Sequence, residues 1–293
     1  MAGEPLRVGL LSGEKILPFV VAERAGLLGP GGVDVELSTA ESAARRDADL
    51  LAGRLDIVLM NLVGVLALSL TGTRVTVLTV LASEPGPQGM FQLLAHATPV
   101  PSPARVGYSR HTIADYSASV LLPRAGLVRA RQHLIDVPDL VRRGRDLVAG
   151  TLDLAILPAP IGDWCQERRA VLLADDRDLA PPPPTLCMLT PRLAERRVEV
   201  DAFLDAYAEA VRLANAEPER SAGLLAECGV PVGRGWRSPR FVERAAPTVV
   251  AVERTLAWCR EIGLPGGSTP SGVPPTAAAA LRAITLPGTG TTV

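Results

Sequence analysis

The sequence predicts an α/β protein of two similar lobes, each a sheet flanked by helices, with a helical C-terminal extension on the first lobe. Three observations carry this. First, Asp49-Leu-Leu-Ala-Gly-Arg-Leu-Asp-Ile57 returns as Asp146-Leu-Val-Ala-Gly-Thr-Leu-Asp-Leu154, with six of nine positions identical. Second, the same order of signals surrounds each copy: Val8-Gly9 and Val106-Gly107, then Arg-Ala-Gly-Leu at 24–27 and 124–127. Gly9 to Gly53 is 44 residues and Gly107 to Gly150 is 43, too long and too few for a solenoid. Third, the pattern after Thr190 becomes purely helical.

Leu6–Leu11 is a continuous apolar run, the mark of a strand buried on both faces of a parallel sheet. Ser12–Lys15 is the turn after it, and Leu17–Ala25 a helix with Pro18 in its tolerant first turn. Val33–Leu37 reads as a second strand, and Ser38-x-x-Glu41 as a capping box opening a helix to Ala52. Gly53 and Gly150 supply the left-handed residue that ends a helix. Leu55–Leu59 is a strand, Leu62–Leu70 a helix and Val75–Leu81 a strand. Ser83–Gly89 marks the crossing into the second lobe, and Met90–His96 a strand there. Arg105–Ser109 begins the repeat, and Thr112-x-x-Asp115 opens a helix to Arg124. Gln132–Asp136 is a strand, Pro138–Ala149 a helix and Leu152–Leu157 a strand ending in Pro158-Ala159-Pro160. Trp164–Arg169 reads as a short helix, Ala170–Ala174 as an edge strand, and Thr185–Thr190 as the strand returning to the first lobe. Val200, Phe203, Leu204, Tyr207 and Val211 make one apolar helical stripe. Further helices run from Pro218 to Gly229 and from Pro247 to Ile262, with a short alanine-rich one near 277–284. The expected division is 1–86 and 187–265 for lobe 1, 87–186 for lobe 2, and a mobile tail at 266–293.

The net charge of −1 excludes the basic face a nucleic-acid partner requires. The pairs Arg45-Arg46, Arg142-Arg143 and Arg196-Arg197 are expected on solvated helix faces. The four scattered cysteines read as unpaired thiols. No membrane span is expected, because the longest apolar run, Ile57–Leu70, is too short and is broken by Asn61. The start of the chain carries no secretory signal, which points to the cytoplasm, or to an extracytoplasmic site where a leader has been removed.

With Leu6-Arg-Val-Gly-Leu10, the helix ending Ala-Glu-Arg-Ala-Gly-Leu27, Val33-Asp-Val-Glu36, the repeated stretch and Phe203-Leu-x-Ala-Tyr207, the chain resembles the type II periplasmic-binding-protein fold. More narrowly, it is similar to the family joining nitrate-, sulfonate-, taurine- and pyrimidine-precursor-binding proteins of ABC importers to the thiamine-pyrimidine synthases. The resemblance covers residues 5–262 and implies a ligand between the lobes. It implies a solute-binding protein, possessing no cofactor or metal, for a small anionic or zwitterionic molecule, with an ABC permease as partner. The alternative is a cytoplasmic decarboxylase, desulfinase or other lyase on the same fold. The synthases' cysteine-rich motif is absent around Cys187, and Met60 or Asn61 stands in place of their cofactor lysine.

Ligands of open α/β sheets sit beyond the C-terminal ends of the parallel strands. The candidates there are Ser12, Lys15, Thr39, Asn61, Ser109, Arg110, His111, Thr112 and Pro158. Lys15 is the chain's only lysine, and Arg110 occupies the matching loop of the second lobe. Both are expected to enter the cleft from opposite walls toward an anion. Carboxylates at Glu14, Glu41 or Glu84 are the alternative partners.

Overall fold

The computed structural model describes residues 4–29, 31–82, 87–264, 280–281 and 284–285. Two five-stranded sheets share one topology. The first contains β1 (Leu6–Leu10), β2 (Val35–Thr39), β3 (Ile57–Asn61), β4 (Val75–Val80) and β10 (Pro184–Leu189), ordered β2-β1-β3-β10-β4. The second contains β5 (Phe91–Ala95), β6 (Arg105–Tyr108), β7 (His133–Asp136), β8 (Leu154–Pro158) and β9 (Val171–Asp175), ordered β7-β6-β8-β5-β9. In each, four strands run parallel, and one antiparallel strand is inserted between the third and the fourth: β10 in the first sheet, β5 in the second. The chain therefore passes between lobes twice, and β10 returns to the first sheet from Pro184, ahead of the expected boundary at 187.

The helices are α1 (Leu17–Arg24), α2 (Ala43–Leu51), α3 (Leu62–Leu70), α4 (Ile113–Arg124), α5 (Leu140–Val148), α6 (Ala159–Gln166), α7 (Thr190–Glu195), α8 (Arg197–Ala216), α9 (Ser221–Glu227) and α10 (Val249–Glu261). All five residues of the expected α8 stripe are buried; Phe203 stacks on Phe19 of α1, and Tyr207 packs against the same ring at a tilt. Each large side chain so buried contributes roughly 1.5–3 kcal/mol. The C-terminal helices thus pack on the first lobe, as the stripe requires. α10 also reaches the second lobe, where the Trp258 indole N–H donates to Ser119 Oγ (2.8 Å) and its ring meets Tyr116 edge-on.

Several local expectations are corrected. β2 and β3 lie two residues later than read, because Val33 is engaged in a bridge to Leu28 and Ser38 and Thr39 pair with Gly9 and Leu10. Ser38 is therefore strand, and Ser42 caps α2 by accepting the Arg45 N–H (3.2 Å). The expected Trp164–Arg169 helix starts at Ala159, with Pro160 in its tolerant first turn. The basic pairs are not wholly solvated: Arg46, Arg143 and Arg196 are buried. The tail and most of the alanine-rich segment lie outside the described residues.

The repeat is built into hydrogen bonds. After Gly53 (φ +69°) and Gly150 (φ +72°), Arg54 and Thr151 each donate backbone N–H to an aspartate carbonyl, Asp49 and Asp146. Arg7 at the head of β1 then binds Asp56 and the Gly53 carbonyl, and Arg105 at the head of β6 binds Asp153 and the Gly150 carbonyl. The four cysteines are free, with Cys165, Cys187 and Cys259 buried and Cys228 exposed.

Candidate functional site

A cavity of about 430 Å³ lies between the two sheets, at the C-terminal ends of the parallel strands. Apolar walls come from Leu11, Leu59, Met60, Phe91, Ile113 and Leu140. Eight of the nine candidates line it: Ser12, Lys15, Thr39, Asn61, Ser109, His111, Thr112 and Pro158. Arg110 does not; it is exposed outside the lining, its backbone N–H donating to Asp136 Oδ1 (3.1 Å).

Lys15 enters the cleft already paired. Its Nζ lies 3.0 Å from Glu14 Oε1, and both side chains are largely buried. The picture of two uncompensated cations on opposite walls is thus corrected: one is neutralised by its own neighbour, and the other points elsewhere.

On the second lobe, Thr112 caps α4, its hydroxyl accepting from Ala114 N–H (3.1 Å) and donating to the Ser109 carbonyl (2.7 Å). Asp115 accepts from His111 N–H (2.8 Å) and is bound by Arg129, one residue short of the expected capping box. His111 sits at φ +58°, turning the loop so that Ser109 and Thr112 both face the cavity. Among the described residues, no hydrogen bond engages the side chains of Ser12, Asn61 or Ser109. These are free to meet a ligand, and Ser109 is otherwise buried. At the crossing, Asp176 Oδ1 accepts from the backbone N–H groups of Met90 (2.6 Å) and Phe91 (3.0 Å), two lining residues. Burial pushes the Asp176 carboxyl up to about 6.

Two further lining residues, Arg46 and Arg143, belong to the arginine pairs expected on solvated helix faces. Arg46 donates through Nη1 to the Leu59 carbonyl (2.8 Å) and through Nε and Nη2 to Asp47 Oδ1 (2.9 and 2.6 Å). Arg143 donates through Nη1 to the Ile156 carbonyl (2.8 Å) and through Nε and Nη2 to the Val137 carbonyl (2.8 and 2.6 Å). Burial lowers its pKa to about 10, which leaves it charged at neutral pH. The signal that could have found both is their shared place in the repeat, seven residues before Gly53 and Gly150.

Among the described residues, no group of His, Cys, Asp or Glu is arranged to hold a metal, and no helix is long and apolar enough to cross a membrane. No family model matches the sequence. No curated protein matches it either. Solved structures do. The alkanesulfonate-binding protein SsuA of Xanthomonas axonopodis pv. citri, bound to MOPS, superposes with a TM-score of 0.71 at 16% identity, over 97% of this chain and 100% of that one. The periplasmic nitrate-binding protein NrtA of Synechocystis PCC 6803 gives 0.72 at 13% identity, over 96% and 86%. The CA3427 gene product of Candida albicans, described as having the generic periplasmic-binding-protein fold, gives 0.74 at 13% identity, over 99% and 98%. With this topology, cleft and full-length superposition, the chain has the two-lobed type II periplasmic-binding-protein fold.

Proposed function

We propose that the chain is a solute-binding protein of the ABC-importer type, or a stand-alone homologue, that closes two lobes on a small anionic or zwitterionic organic molecule. The observation that carries this is the cavity, drawn from both halves of the repeat and sized for a small ligand. Ser12 and Asn61 from one lobe and Ser109 from the other offer hydrogen bonds, and the apolar walls suit a carbon skeleton. Ser109 and the first residues of α4 favour an acidic group, since a helix N-terminus presents N–H groups and a positive dipole end. The sulfonate- and nitrate-binding neighbours support the same reading. As an importer's receptor, the protein would meet its permease outside the membrane, and cell fractionation addresses that.

The test is mass spectrometry of whatever co-purifies, followed by calorimetric titration of the identified molecule. Asn61→Trp should fill the cavity and abolish binding. Ser109→Ala should weaken it roughly tenfold or more, the worth of one hydrogen bond to a charged group. A ligand that binds Asn61→Trp as tightly as wild type would end the proposal.

A further inference from the structure

We propose that Arg143 sets the charge preference of the cleft, the acidic group of the ligand being the counter-ion that this guanidinium lacks among the described residues. This rests on the cleft-binding reading above and names the group behind it.

The argument comes from comparing the repeat's two inner helices. α2 and α5 are capped alike, by Ser42 accepting from Arg45 N–H and by Asp139 accepting from Arg142 N–H. Arg45 and Arg142 lie outside, each paired one turn on with Asp49 and Asp146. Arg46 and Arg143 turn inward, and each Nη1 meets the carbonyl of the third strand of its sheet at 2.8 Å. The copies part at the next residue. Asp47 follows Arg46 and takes its Nε and Nη2, so that charge is neutralised. Gly144 follows Arg143, and the same two donors go to the Val137 carbonyl, which carries no charge.

Gly144 cannot acquire an acid cheaply. A Cβ there would come 2.7 Å from Ile161 Cγ2. On the other side Arg143 lies along β6, with its Cγ 3.1 Å from where a Cβ of Gly107 would stand. That places its stem two residues from Ser109. The carboxylates of Asp136 and Asp139 raise its pKa but belong to exposed residues, where water screens them. No carboxylate of the described residues is within salt-bridge distance of Arg143. Lys15–Glu14 and Arg46–Asp47 cancel as pairs. The buried charge of the lining therefore sums to one cation, on the second lobe, beside Ser109 and the start of α4.

A buried ion keeps its charge only where something offsets its lost hydration. Carbonyls do part of this for Arg143, and an anion in the cleft would complete it. The guanidinium lies beneath the wall with almost no exposed surface, so it acts chiefly through its field, while the lining carboxylates of Glu41 and Asp139 are exposed to water. A single negative charge fits; a dianion would exceed it, and a cation would be repelled.

The probe is bromide, a monoanion located by anomalous diffraction in crystals of the full chain. The expected result is a bromide in the cleft near Ser109 and Arg143, lost in Arg143→Met and kept in Arg143→Lys. Asp47→Asn, which releases Arg46, should add a second bromide on the opposite wall. That gain does not depend on removing a buried side chain, so it decides the matter if Arg143→Met fails to fold. An empty wild-type cleft, a bromide that survives Arg143→Met, or no second site in Asp47→Asn would overturn the inference. A neutral molecule bound in the cleft would also overturn it, yet leave cleft binding intact; a ligand held elsewhere would defeat both.

Discussion

Arg7 grips Asp56 and the Gly53 carbonyl in the first lobe, as Arg105 grips Asp153 and the Gly150 carbonyl in the second. The bond sets match atom for atom, but their surroundings do not. The Asp56 side chain is 0% exposed, and Arg192 (3.0 Å) and Arg196 (3.6 Å) close over it from α7 and the turn before α8. Asp153 is 19% exposed and, among the described residues, pairs with Arg105 alone. The local sequence makes the clamp, and the C-terminal extension decides how much it is worth. A device repeated faithfully by the chain becomes a buried ion cluster in one lobe and a surface pair in the other.

The largest expected effect tests this contrast. Asp56→Ala removes the buried carboxylate that Arg7, Arg192 and Arg196 share; with the Arg7 and Arg192 side chains 30% and 36% exposed, it should cost somewhat less than the about 3–5 kcal/mol of a fully buried pair in chemical denaturation. Asp153→Ala should cost a small fraction of that, since exposed pairs contribute little. Equal losses would show that the covering helices add nothing. The pH dependence is what the two clamps share. Burial pushes the Asp56 carboxyl up, but hydrogen bonds from Arg7 and Arg192 outweigh it and hold the group below the usual carboxylate range. A depressed folded value contributes stability that is present above the unfolded value, near 4, and is lost as pH falls through the folded one. The Arg105 hydrogen bond holds Asp153 below the usual range as well, so acid unfolding should lose slope in both Asp56→Asn and Asp153→Asn.

A middle-sized effect sharpens the comparison at the two glycines. Both have positive φ, so alanine at either should cost about 1–2 kcal/mol. Gly53 has open space for a Cβ, whereas at Gly150 a Cβ would lie 3.0 Å from His96 Nε2. The His96 ring is held by Nδ1 at 2.9 Å from the Leu147 carbonyl. Gly150→Ala should therefore be the worse of the two in thermal melts, and Gly150→Ala with His96→Ala should recover the difference.

The two-lobed architecture was legible because it is written twice. The helix-ending glycines and the aspartates of the repeated stretch recur at fixed spacing, and the tertiary fold agrees with both. Boundaries failed where a long-range partner overrode a local signal. Ser38 and Thr39 look like a helix start until β1 pairs with them. The site loops were legible for a topological reason, since they follow parallel strands. Its charges were not. Whether Lys15 meets a ligand or Glu14, and whether Arg143 faces water or Ile156, depends on side-chain direction across the sheet, which residue type does not encode.

The smallest effect concerns the helix caps, where the lobes should agree. Ser42→Ala and Asp139→Ala each remove one acceptor from the first turn of an inner helix, and each should cost about 1 kcal/mol. Asp139 also lies beside the charge of Arg143. A clearly larger loss at Asp139, measured at low salt and reduced at high salt, would show that its field reaches beyond the cap.

The inserted antiparallel strand has a consequence for how the protein is made. All strands of the second sheet lie within residues 91–175, so that sheet can assemble from one uninterrupted segment. The first sheet cannot, because β10 must slide between β3 and β4, and Thr185 Oγ1 reaches back 125 residues to the Met60 carbonyl. While the ribosome is still delivering the middle of the chain, β3 and β4 wait with unpaired edges, the state in which chains aggregate. The half that is synthesised first is thus the half completed last, and pulse-labelled hydrogen exchange on stalled nascent chains should find β6 and β8 protected before β3 and β4.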